Sequence, residues 1–136
     1  MIPSSFAPQL YSIFRIVFGL LFLFHGLQKM FGVFGGRVVP LASLAGAAGI
    51  IEVVAGLLIM IGLFTRPIAF IASGEMAVAY FRSHFPRALW PIENGGEPAV
   101  LFCFAFLYVA SEGGGPWSLD ALLQRATSLP TASRRA

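Results

Sequence analysis

From Leu10 to Met30 the chain reads LYSIFRIVFGLLFLFHGLQKM, an apolar run that nevertheless carries Arg15, His25, Gln28 and Lys29. About 20 mostly apolar residues at 1.5 Å rise each cross the roughly 30 Å hydrocarbon layer of a bilayer, so this run is a predicted membrane helix. At about 100° per residue, Arg15, Gly19, Phe22, Gly26 and Lys29 fall on one stripe with His25 at its margin, and Val17, Leu20, Leu21, Phe24 and Leu27 fall opposite. The second face suits lipid; the first suits partner helices, because a charge in a membrane span faces a protein interior or a water-filled cavity.

Further runs repeat the pattern. Gly32, Gly35, Gly36 and Pro40 break the first helix, and a second is predicted over 44–63 with Ala45, Gly49, Glu52, Gly56 and Ile59 on one face. Small residues around one carboxylate allow close backbone approach and turn Glu52 into the bundle. A third helix is predicted over 67–81, opened by Pro67, with Ala72, Glu75, Ala79 and Arg82 on a stripe. Residues 82–97 form a predicted interfacial loop with Trp90 as a headgroup anchor. A fourth helix is predicted over 97–110, then a glycine turn and a short amphipathic helix over 119–126 capped by Ser118. Residues 1–9 and the last ten are expected to be disordered or interfacial. The fold class is therefore an all-α membrane protein, a four-transmembrane-helix bundle with a short C-terminal interfacial helix, forming one domain over residues 1–136.

Composition supports this class: 57% of residues are hydrophobic and 11% charged, against about a quarter charged in soluble domains. The net charge of +3 comes from scattered bases that form no run beyond the Arg134–Arg135 pair, so no nucleic-acid partner is expected. The single cysteine, Cys103, leaves no intramolecular disulfide. The first helix is expected to be retained, since Met1 to Tyr11 holds no Lys or Arg and Lys29 follows where a signal-peptide cleavage site would fall. Location in a bacterial cell membrane, the inner membrane, with cytoplasmic termini is expected. Metal-ligand spacing, a nucleophile and base pair, and a dinucleotide fingerprint are all missing from the sequence.

The order of short motifs resembles the DoxX family of small four-helix membrane proteins of bacteria and archaea. It is carried by Arg15 with Gly19, Phe22-Leu23-Phe24-His25-Gly26 with Gln28-Lys29 and Phe31-Gly32, then Glu52 with Gly56 and Gly62, and Thr65-Arg66. Asn94-Gly95-Gly96-Glu97 and Gly115-Pro116-Trp117-Ser118-Leu119-Asp120 complete it, so that the resemblance covers residues 12 to 122. It implies a membrane subunit associated with redox systems, relatives being linked to quinol oxidase and thiosulfate:quinone oxidoreductase assemblies.

Three bases (Arg15, His25, Lys29) and three acids (Glu52, Glu75, Glu97) lie in or near the spans. One reading is structural, with depth along the helices pairing Lys29 with Glu97 and Arg15 with Glu75. Another is that Arg15, Phe22, His25, Lys29, Glu52 and Glu75 line a site for a quinone headgroup, His25 and a glutamate exchanging protons there. The first functional expectation is thus an oxidoreductase-complex subunit that is not catalytic alone. A non-catalytic accessory or scaffold subunit of a respiratory or photosynthetic complex, and a small transporter or proton channel, are the alternatives. The bilayer and other subunits are the expected partners, and a homo-oligomer is compatible with the pattern.

Overall fold

A computed structural model describes residues 2–128, and every regular element in it is helical. A 3-10 turn at Ser4–Phe6 leads into α1 (Ala7–Phe31), followed by α2 (Leu44–Ile61) and α3 (Thr65–Ala79). A π-helical turn, Tyr80–His84, prolongs α3, and α4 (Pro91–Asn94), α5 (Glu97–Glu112) and α6 (Leu119–Ser128) complete the order. Of the disordered or interfacial lead expected for residues 1–9, residues 4–9 are helical, and of the last ten residues expected to be disordered, Thr127 and Ser128 belong to α6 while the last eight lie outside the described range.

The boundaries have local causes. Gly32 closes α1 and Gly62 closes α2 in the left-handed conformation, at φ 68° and 73°, which glycine adopts without a Cβ penalty. Ser43 caps α2 by accepting from the Gly46 N–H, and Ser118 accepts from the Ala121 N–H at the start of α6. The Phe85 N–H bonds to the Tyr80 carbonyl, closing the π turn that carries the α3 rod on to His84.

The helices pack as two pairs, α1 along α2 and α3 along α5, joined across α2 and α3. Glycines set the first contact. A Cβ on Gly56 would come within 2.5 Å of the Leu23 nitrogen, and one on Gly19 or Gly26 within 2.6 Å of the Met60 or Val53 nitrogen. Backbones therefore touch here, the packing used by membrane helices that lack a hydrophobic driving force between them. The two pairs meet on larger side chains, where Phe22 of α1 packs on Phe102 and Phe106 of α5 at ring separations of 4.7–5.6 Å, beside Val109 of α5 and the small Ala69 and Ala72 of α3.

The predicted faces reappear in burial. On α1, Ser12, Arg15, Gly19, Phe22 and Gly26 are buried and Val17, Leu21 and Phe24 are exposed. On α2 the buried face includes Gly49, Glu52, Gly56 and Ile59. The α3 stripe is displaced: Ala69, Ala72, Ser73 and Met76 are buried, which leaves Glu75 at the margin and Arg82 exposed. Helices Ser4–Phe31 and Leu44–Ile61 are long and apolar enough to cross a membrane.

Candidate functional site

The buried polar residues separate into two groups at opposite ends of α1. Arg15 and Lys29 are 14 positions apart, about 21 Å along the axis at 1.5 Å per residue.

The Arg15 group is a latch. Its guanidinium is fully buried and donates to the carbonyls of Ile59, Met60 (2.7 Å), Gly114 (2.8 Å) and Trp117 (2.5 Å). Two of these are carbonyls at the end of α2, where cationic donors are favoured, and two lie in the Gly113–Ser118 turn. Asp120 closes the same end: its carboxylate accepts from the Phe64 and Thr65 N–H groups at 2.9 Å and from the Thr65 hydroxyl at 2.7 Å. Partial burial pushes the Asp120 carboxyl up, but the hydrogen bonds from Thr65 and Phe64 and the Arg15 charge outweigh it and hold it below the ordinary aspartate range. Arg66 donates to the Ser111 carbonyl at 2.5 Å and to the Glu112 carbonyl at 3.2 Å, capping α5. A surface cleft of about 700 Å³ beside α6 is bordered by Arg66 and Asp120, whose polar atoms these bonds engage.

This corrects two expectations. Arg15 pairs with backbone carbonyls and not with Glu75, because the glycine turn after α5 folds back over α1 and brings a whole set of acceptors to the guanidinium. It thereby leaves the cluster it was expected to share. Lys29 does not pair with Glu97, which is exposed in the first turn of α5; the tight α1 and α2 contact at Gly26 and Val53 brings Glu52 to the lysine instead.

The second group is centred on that pair. Lys29 Nζ lies 2.5 Å from Glu52 Oε1, with the Glu52 side chain 2% and the Lys29 side chain 33% exposed. The other carboxylate oxygen, Oε2, is buried without a hydrogen-bond partner, and so is Glu75 Oε2. Buried polar atoms are nearly always satisfied, so two orphaned carboxylate oxygens in one region call for a ligand or water.

Two spaces meet there. A largely apolar groove of about 710 Å³ runs between α2 and α3, walled by Leu44, Ile51, Ile71 and Val78, with Lys29, Glu75, Arg82 and His84 also on its lining. A smaller cavity of about 150 Å³ is lined by Glu52, Lys29, His25, His84, Phe22 and Phe102. Lys29 and His84 border both. His25 is exposed overall, its ring edge-on to Phe102 at 5.7 Å, and Phe22 is wholly buried. Of the six expected site residues, the structure thus brings together Phe22, His25, Lys29, Glu52 and Glu75 and removes Arg15.

Arg82, on the predicted stripe with Glu75, borders the groove although its side chain is exposed, and His84 joins the group although the pattern of residues did not assign it there. Both lie on or near the π turn, which rotates the backbone relative to an α-helical continuation and has no signature in the periodicity. The one available signal was their position at the end of an otherwise apolar helix. Among the described residues no cluster of three or more His, Cys, Asp or Glu suited to a metal ion occurs.

The profile of the DoxX family matches residues 10–85, more than half of the chain, and that match includes Arg15, His25, Lys29, Glu52, Glu75 and His84, while the Gly113–Ser118 turn and Asp120 lie beyond it. The chain is a member of the DoxX family. Beyond that segment, an uncharacterised protein of Haemophilus influenzae is 38% identical over 124 residues, covering 86% of this chain and 92% of its own. Inner membrane protein YphA of Escherichia coli is 34% identical over 126 residues (83% and 89%), and an uncharacterised membrane protein of Mycobacterium tuberculosis 28% over 133 residues (84% and 82%). No solved structure shows a significant match. This DoxX protein is accordingly an all-helical membrane protein, and contact with the lipid bilayer follows from that class.

Proposed function

We propose that this DoxX protein is a four-span subunit of a quinone-linked redox complex in the bacterial inner membrane, taking a quinone-type headgroup in the groove between α2 and α3. The observation that carries the reading is the meeting of an apolar groove with the Lys29–Glu52 pair and the orphaned Glu75 oxygen. Small-ligand sites are typically about 300–1,000 Å³, mostly apolar, with a few convergent polar groups, and this groove has those properties.

The residues present fit such a ring. Ile51, Ile71 and Val78 offer apolar walls, Lys29 offers ammonium donors to a ring carbonyl, and Glu75 holds a carboxyl oxygen with no other partner. When bound, a quinone supplies two-electron, two-proton carrier chemistry. This chain's part is to hold the headgroup, exclude lipid from its polar edge and keep acid and base groups beside it, while a partner subunit supplies electrons.

Four spans account for the lengths. The α3 rod with its π turn, Thr65–His84, is 20 residues, about 30 Å at 1.5 Å per residue, and α5 adds 16 residues alongside it. Four crossings put both termini on one side, taken as the cytoplasmic side.

The test is binding to the purified protein in lipid nanodiscs. Decylubiquinone is expected to raise the melting temperature, and Lys29→Met or Glu75→Gln to reduce that shift at least about ten-fold in midpoint concentration, a loss of roughly 1.4 kcal/mol. A folded wild-type protein whose melting temperature ignores every quinone tried would overturn the reading.

A further inference from the structure

His84 has no part in the headgroup contacts above, yet the loop after the π turn is arranged around it. Its Nδ1 lies 3.2 Å from the Asn94 carbonyl oxygen. A carbonyl only accepts, so Nδ1 carries the hydrogen and, in the neutral ring, Nε2 is the bare nitrogen.

The carbonyl is itself fixed. Asn94 is buried, its side-chain amide donates to the Ala88 carbonyl at 2.9 Å, and its Oδ1 accepts from the Gly96 N–H at 2.8 Å. Gly96 has no room for a side chain, since a Cβ there would fall 2.6 Å from Asn94 Oδ1 and 2.7 Å from the Tyr80 ring. Tyr80 lies nearly parallel to the imidazole at 6.4 Å. The carbonyl of a buried asparagine, itself tied to Ala88 and Gly96, thus sets the tautomer of the histidine.

That histidine stands with Lys29 on the boundary between the 710 Å³ groove and the 150 Å³ cavity. The cavity has room for about five waters at roughly 30 Å³ each, and Glu52, whose Oε2 has no partner, lies on its wall. The titratable or charged groups around His84 are Lys29 and His25 from α1, Glu52 from α2, Glu75 from α3, and Arg82 and Tyr80 from the π turn.

We propose that His84 is the proton port of the Lys29–Glu52 site, passing protons between water in the small cavity and the polar end of the groove through Nε2 alone. A hydronium ion relayed along the cavity waters gives its proton to Nε2, forming the imidazolium and leaving water. The same nitrogen then releases a proton to a base at the pair or to a groove-bound acceptor, returning the ring to its starting tautomer. With Nδ1 held on Asn94, neither step requires the ring to flip. No electron moves. The groove-bound acceptor rests on the headgroup reading; the port between water and the ion pair does not.

The chain contains two histidines and one lysine, so isotope labelling isolates each group. In ¹⁵N-histidine spectra of the full chain in nanodiscs, with His25→Gln to assign the signals, His84 is expected as the Nδ1–H tautomer with Nε2 in magnetisation exchange with water. The Nε2–H tautomer, or an Nε2 without water contact, would overturn the proposal. In ¹⁵N-lysine spectra, His84→Gln is expected to slow exchange of the Lys29 ammonium hydrogens with water by at least about ten-fold while the Lys29 shift, and so its pairing, stays put. Unchanged exchange in that variant overturns the port. Both results can hold when quinone binding fails, which would remove the headgroup reading and leave the port standing.

Discussion

Arg15 shows what a single side chain does when it is charged, buried and has no carboxylate partner. The guanidinium serves four carbonyls from two segments distant in sequence, so its removal leaves several buried acceptors at once. Arg15→Ala is expected to cost about 3–5 kcal/mol of stability, and Arg15→Lys to recover only part because a single ammonium cannot reach across the same fork. Chemical or steric-trap unfolding in detergent measures both. Glu52→Gln addresses the opposite end: it leaves Lys29 without its counter-ion in a mostly buried position and is expected to lower stability by about 1–3 kcal/mol in the same assay. Asp120 gives a pH signature. Its carboxyl is held below the ordinary aspartate range in the folded state, so the stability it contributes is fully present above about pH 3.9 and is lost as pH falls through the lower folded value. Asp120→Asn should flatten that acid limb of a melting-temperature profile and leave the neutral region lower by about 1 kcal/mol, the scale of a lost helix cap.

At the scale of helices, α1 meets α2 through glycines and meets α5 through phenylalanines, and the two contacts should respond differently to substitution. Gly56→Leu places a branched side chain where a Cβ already lies 2.5 Å from the Leu23 nitrogen, so the helices must separate. The expected loss is at least about 1–3 kcal/mol, with weaker Lys29–Glu52 pairing seen as a changed lysine ¹⁵N shift. Gly74→Ala is the control: nothing lies within 4 Å of its would-be Cβ, and the variant should retain wild-type stability within about 0.5 kcal/mol or gain slightly. The faces of α1 and α2 were legible because glycines and the few charged residues recur on one side at helical spacing, over helices of 25 and 18 residues. The face of α3 was not. Its buried stripe holds Ala, Ser and Met, and its outer side holds Phe70, Ile71 and Val78 exposed, so polarity does not mark the inside of a helix whose surroundings are themselves apolar.

The whole molecule places its charges at two ends, with a stack of phenylalanines and a glycine seam between them. The proposed four-span topology predicts that cysteines introduced at Arg37 and Arg87, on a Cys103→Ser background, react with a membrane-impermeant maleimide from one side, and that one at Gln124 reacts only from the other. Labelling of position 87 and position 124 from the same face would remove a span from the count.

The apolar runs, their ends and the inward stripes of α1 and α2 are properties of the chain read alone, since hydrophobic length, helical period and glycine or serine stops act over a few residues. So are the inward turn of Glu52 and the Ser118 cap. The partners of the charges belong to the folded molecule. Arg15 is saturated by a turn about 100 residues away, Lys29 meets Glu52 through a backbone approach that glycine permits, and His84 reaches the same site through a π turn and a loop locked by Asn94. Electrostatic matching by count and depth cannot foresee these, because a buried cation takes the acceptors that the packing of other segments brings to it, and backbone carbonyls are acceptors at every position of the sequence.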